Sequence, residues 1–183
     1  MNKPYAALLA GLLVAGSCAA TSAAASSEAR MLYNSSIKQA AASFKLARAK
    51  CDTLAGNPKD VCIAEAKAAR VYTEAYAKAQ YKNTLKAYTK ARVQIADANY
   101  DVDLLRCAAL TGNDKDVCVK LAKSTKIAAL ADAKADKKVI EARADARGEK
   151  RIAEYKVAAE KCDALAGAAK DQCVSAAKSQ YGE

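Results

Sequence analysis

One twelve-residue pattern occurs three times in this chain, and it narrows the possible folds more than anything else in the sequence. The copies are Cys51-Asp-Thr-Leu-Ala-Gly-Asn-Pro-Lys-Asp-Val-Cys62, Cys107-Ala-Ala-Leu-Thr-Gly-Asn-Asp-Lys-Asp-Val-Cys118 and Cys162-Asp-Ala-Leu-Ala-Gly-Ala-Ala-Lys-Asp-Gln-Cys173. Gly56, Gly112 and Gly167 each follow the first cysteine by five residues. Glycine there reads as a helix stop, since it takes positive φ without strain. Asn57 and Asn113 come next and read as N-caps. Pro58 falls where a first helical residue tolerates proline, and Asp60 and Asp116 stand three residues past the cap, a variant of the capping box. Each copy therefore predicts a very short link between two antiparallel helices. The third copy has Ala168 in place of the asparagine, which predicts a weaker helix start.

Mirrored cysteines about one and a half turns into each helix would bring their Cα atoms within disulfide range if small residues line the contact. Alanine supplies them. The expected bridges are Cys51–Cys62, Cys107–Cys118 and Cys162–Cys173. Metal binding by the same six thiols is the competing reading. Zinc ligand pairs usually lie two to four residues apart rather than ten, and the chain contains no histidine. No metal and no cofactor are expected.

The first residues read as an export leader. Lys3 is followed by an apolar run from Ala6 to Gly16, too short for a permanent membrane anchor. Ala23-Ala24-Ala25 offers a cleavage site, giving a signal peptide over 1–25 and a single elongated helical domain over 26–183. An alternative is the lipobox-like Val14-Ala15-Gly16-Ser17-Cys18, in which Cys18 would carry lipid and anchor the protein. Either route leaves an even six cysteines, as an oxidising compartment favours. A Gram-negative periplasm is the expected location.

The fold class follows from the repeat and the composition. The turns recur every 55 or 56 residues in 183. One turn per period means one long helix per period. Much of the apolar content is alanine, the best helix former but a poor builder of thick cores. The expectation is all-α: long, antiparallel, coiled-coil-like up-down hairpins with a disulfide at each of three turns (51–62, 107–118, 162–173). The helices are expected near 27–55, 58–111, 114–166 and 169–181. Two places could bend the rods, Asn83-Thr84 and Gly148.

Lys78, Lys82, Lys86 and Lys90 stand four apart and form a candidate anion-binding stripe. In the register set by the second turn, Glu149, Asp145 and Glu141 face Lys78, Lys82 and Lys86. In the register of the first, Glu65 faces Arg48 and Glu74 faces Lys38. Pairing between neighbouring helices is thus the favoured reading of these ladders, with register as their use. The net charge of +10 leaves a basic surplus. Such helices could associate with the outer membrane or another anionic envelope component. Nucleic acid is not expected for an exported chain. The tyrosines, crowded at Tyr72, Tyr76, Tyr81, Tyr88 and Tyr100, are expected to cover helix seams with their hydroxyls in water.

No phosphate-binding glycine loop, nucleophile elbow or metal motif occurs, so no catalytic residues are expected. The Cys-Asp-x-Leu-Ala-Gly-Asn-x-Lys-Asp-x-Cys turn and the Ala-Lys-rich helix after it (Ala64-Glu65-Ala66-Lys67-Ala68-Ala69) resemble a group of uncharacterised exported proteobacterial proteins. Some of these carry a cell-envelope or TolA-like label. The resemblance implies an envelope location and no known active residues. The functional expectation is a non-enzymatic periplasmic scaffold or adaptor that binds an unknown protein or anionic component through its surface, with homo-oligomerisation open. The alternatives are a holdase-type periplasmic chaperone and a metal- or thiol-buffering protein.

Overall fold

The computed structural model describes the backbone of residues 19–182 and the side chains of residues 27–182. Cys18 and most of the expected leader lie outside the described residues. Five helices follow one another: α1 (Ala19–Cys51), α2 (Gly56–Lys82), α3 (Leu85–Cys107), α4 (Gly112–Cys162) and α5 (Gly167–Tyr181). No strand occurs among the described residues. The all-α hairpin architecture is as the sequence predicts, and the three expected disulfides are present with Cα–Cα separations of 5.7, 5.6 and 5.7 Å.

The repeat produces one elbow three times. The residue before each glycine is extended, with φ of −134°, −130° and −131° at Ala55, Thr111 and Ala166. The glycine then takes φ of +60°, +56° and +56°. In all three, the leucine three residues past the first cysteine donates its N–H to that cysteine's carbonyl, at 3.0, 3.1 and 3.0 Å. Two details differ from expectation. The first cysteine is the last residue of its helix, so the elbow is asymmetric and the link is four residues long. The glycine does not end the preceding helix but opens the next one. Asn57 and Asn113 are therefore not N-cap residues. The cap positions Ala55, Thr111 and Ala166 make no side-chain cap bond. This is why the third elbow keeps the geometry of the others without its asparagine.

The larger difference lies at Asn83-Thr84. The sequence predicts one helix over 58–111 with a weak break there; the chain instead reverses, and α2 and α3 form a second kind of hairpin with no disulfide. Asn83 takes the left-handed conformation, φ 43° and ψ 46°, and donates its N–H to Ala79. Asparagine tolerates that region better than most residues. Thr84 is extended and its Oγ accepts the Ala87 N–H at 3.2 Å, a normal N-cap. Gly148, the other expected bend, does not interrupt α4. That helix runs 51 residues, about 77 Å at 1.5 Å per residue.

Among the described residues, each helix packs only against its neighbours in sequence: α1 on α2, α2 on α3, α3 on α4, α4 on α5. The seams are built from alanine. Ala75, Ala79 and Ala91 form the buried cluster between α2 and α3, flanked by Ala87, Tyr88 and Ile95. The largest fully buried side chains are Cys51, Cys107 and Cys162. A layer one helix thick has no interior for leucine to fill. The chain exposes 14010 Å²; a compact monomer of 19.2 kDa would expose about 8400 Å². Even if the first eighteen residues took the full surface of unfolded chain, about 2600 Å², the rest would still exceed the compact value.

Candidate functional site

The alternation of helices brings the first and second elbows to one end of the layer. The Asn57 side chain donates to the Leu105 carbonyl across α2 and α3 at 2.7 Å. Beside it, Arg106 binds Glu65 at 2.7 Å and Asp103 at 3.3 Å. The Arg106 pKa is raised chiefly by the hydrogen bond to Glu65, which keeps this cation fixed. Lys59 and Lys170 each bridge back over their own elbow, to Asp52 at 3.1 Å and Asp163 at 2.8 Å. The second elbow has Ala108 at that position and makes no such bridge.

The opposite end of the α2–α3 hairpin is its tip, and there the four candidate lysines meet. Lys78 and Lys82 lie on α2, Lys86 and Lys90 on α3. With Thr84, Gln94, Ala75 and Ala87 they line one groove of about 280 Å³. The expected ladder on a single rod is in fact two short rows facing across a hairpin. All four lysines are exposed, and none makes an ion pair among the described residues. No acidic residue occurs between Glu74 and Asp97.

The expected pairing between ladders is not what forms. α2 has no contact with α4, so Lys78 and Lys82 cannot reach Glu149 and Asp145. Glu141 binds Lys137 one turn away at 3.5 Å instead of Lys86. Glu74 binds Arg70 at 2.6 Å rather than Lys38, and Glu65 takes Arg106 rather than Arg48. The reversal at 83–84 removes the facing partners of Lys78 and Lys82, and it brings Arg106 of α3 within reach of Glu65. Glu74 and Glu141 instead take the cation one turn away on their own helix, Arg70 and Lys137. The α3–α4 seam does carry charge pairs, Arg92–Asp136 at 2.5 Å and Lys126–Asp97 at 2.8 Å. Lys126 also sits 4.8 Å from the Tyr100 ring centre, and its pKa is raised, first by the hydrogen bond to Asp97.

Of the crowded tyrosines, Tyr88 packs against the α2–α3 seam, and Tyr72 and Tyr81 stay exposed. Tyr33 stacks on Tyr81 across α1 and α2 with centroids 5.1 Å apart, and Tyr72 leans on Tyr76 at 4.8 Å. The groove between α1 and α2 has Arg70 as its one charged residue, and those along α2–α3 beside Asp97 and beside Glu65 carry charges of both signs. The one between α4 and α5, about 740 Å³, presents Lys150, Glu154 and Lys161. No group of three or more His, Cys, Asp or Glu side chains is placed to hold a metal among the described residues. No described helix is long and apolar enough to cross a membrane. Three disulfides fit an oxidising, extracytoplasmic setting.

No protein-family model matches the chain, and neither a curated protein nor a solved structure matches it. Sequence alone does not show the convergence at the tip, because Asn83-Thr84 reads locally as a kink. The signal was present: an asparagine able to end a helix, then a threonine able to start one.

Proposed function

We propose that this protein is a non-enzymatic scaffold or adaptor of the periplasm or cell envelope that works by offering helix surfaces to a partner. The observation that carries the reading is the one-helix-thick layer. α1, at one edge, and α4, which carries α3 along one stretch and the short α5 along another, each leave a long side uncovered. Met31, Leu32 and Leu46 on α1 are 62–69% exposed, as is Leu121 at 66% on α4, where Val117, Val139 and Val157 are also exposed. On a monomer, apolar surface of this extent marks an interaction site. The disulfides support an exported location, and the rigid elbows hold the edges in fixed relation.

The test is photo-crosslinking in intact cells from positions 121 and 139, with position 150 on the same helix as a polar control. A discrete adduct from the apolar positions supports the adaptor reading; none from either refutes it. The exposed apolar side chains also favour a second reading, a holdase chaperone. Suppression of client aggregation at near-stoichiometric ratio supports it, and no suppression removes it. Thiol or metal buffering has less support, because all six sulfurs described are already bonded in pairs. A free-thiol count on unreduced protein tests that alternative.

A further inference from the structure

We propose that the α2–α3 tip is a phosphate-binding site, closing on a group that carries two or more adjacent phosphates. This goes beyond the adaptor reading and concerns a different part of the surface.

The argument begins with what the tip costs. Like charges four apart on a helix repel, and like charges facing across a hairpin repel again. Lys78, Lys82, Lys86 and Lys90 do both, and no carboxylate offsets them. Three acids of the flanking helices are committed elsewhere: Glu74 to Arg70, Asp136 to Arg92 and Glu141 to Lys137. The helix dipoles do not account for the field, since the negative end of α2 lies beside the positive end of α3 and the two oppose. What remains is four uncompensated ammonium groups held around a groove by a tight turn.

The lining selects the ligand. Every polar side chain in it can donate: four ammonium groups, the Thr84 hydroxyl and the Gln94 amide. The Thr84 oxygen already accepts from Ala87, which leaves its O–H for a ligand. Phosphate oxygens are strong acceptors, and lysine is a well-attested point-charge partner for them. At about 280 Å³, the groove is at the small end of ligand sites. It suits a headgroup or a short phosphate chain, not a large molecule enclosed whole.

The experiment uses purified protein and two probes, inorganic tripolyphosphate by titration calorimetry and phosphatidylcholine vesicles carrying cardiolipin, whose headgroup holds two phosphates, by sedimentation, each at low and high salt. The variants are Lys82→Gln with Lys86→Gln at the tip, and Lys120→Gln with Lys123→Gln on α4 as a control of equal charge. All four side chains are exposed, and circular dichroism checks that both variants keep their helices. At about fivefold per lysine near an anionic surface, the tip pair should lose about 25-fold, and the control under threefold. Binding of tripolyphosphate identifies a free phosphate chain as sufficient. Binding of vesicles alone identifies a lipid headgroup, and either result with the tip-specific loss supports the site. Equal losses in the two variants, or no binding of either probe at low salt, overturns it. Neither result depends on whether a protein partner is trapped in cells.

Discussion

Removing the third disulfide should release α5 and leave the rest of the chain folded. The reasoning rests on how little else holds α5. It has 15 residues and buries Ala177, against a seam whose other buried residue is Cys162. One methyl is worth about 0.8 kcal/mol. Val174, half-buried, adds on the order of 1 kcal/mol. The exposed Lys170–Asp163 bridge adds about 0–1 kcal/mol. A free helix of this length is marginal in water. Closing a twelve-residue loop is worth about 3 kcal/mol in the chain-entropy model, as much as the other contributions together. Cys162→Ala with Cys173→Ala should therefore shift α5 toward the undocked, frayed state by about two orders of magnitude. Hydrogen exchange read by mass spectrometry is the assay. Amides over 170–181 should lose about 100-fold in protection, and those of α2 and α3 should keep theirs because no contact joins them to α5. Unchanged protection in α5 would refute the energetic argument. Loss throughout the chain would refute nearest-neighbour packing.

Gly148 meets nothing within 4 Å of an added Cβ and lies inside a helix; Gly148→Ala should stabilise α4 by about 1 kcal/mol, seen as slower exchange over 141–149. Gly112→Ala has space but the wrong backbone, with φ +56°, and should cost about 1–2 kcal/mol in urea unfolding. Thr84→Ala removes the α3 N-cap and should lower stability by about 1 kcal/mol, with faster exchange confined to the tip. The Lys126 pKa is raised by Asp97, so its stabilising contribution is complete below the ordinary lysine pKa and disappears as pH rises through the folded value. Melting temperatures of the native protein and Asp97→Asn should differ at pH 8 and converge once the pH passes the folded Lys126 pKa.

The elbows were legible in the sequence because three repetitions of a cysteine spacing fix both a covalent bond and a reversal. Their inner detail was not. A glycine with positive φ can close one helix or open the next, and no local rule distinguishes the two when four residues of link are available. The unclamped hairpin at Asn83-Thr84 was hidden for a different reason. A two-residue break without glycine or proline costs little as a kink, and only the seam of Ala75, Ala79 and Ala91 makes full reversal worthwhile. Once that reversal is in place, the charge ladders change meaning. Lys78 and Lys82 lose their presumed acids and gain Lys86 and Lys90 as neighbours. The candidate site was thus visible as a set of residues but not as a place, since the place is made by a turn.

The neighbour-only arrangement also governs how the molecule would respond to a pull on its two ends. A globule resists until its centre gives way all at once. Here each seam bears the load alone, so the folds should open in succession, like the segments of a carpenter's rule. The sulfur bridges shorten the reach at every clamped joint and keep its twelve residues from paying out. The tip between α2 and α3, which has no such clamp, is the joint free to unfurl to its full length.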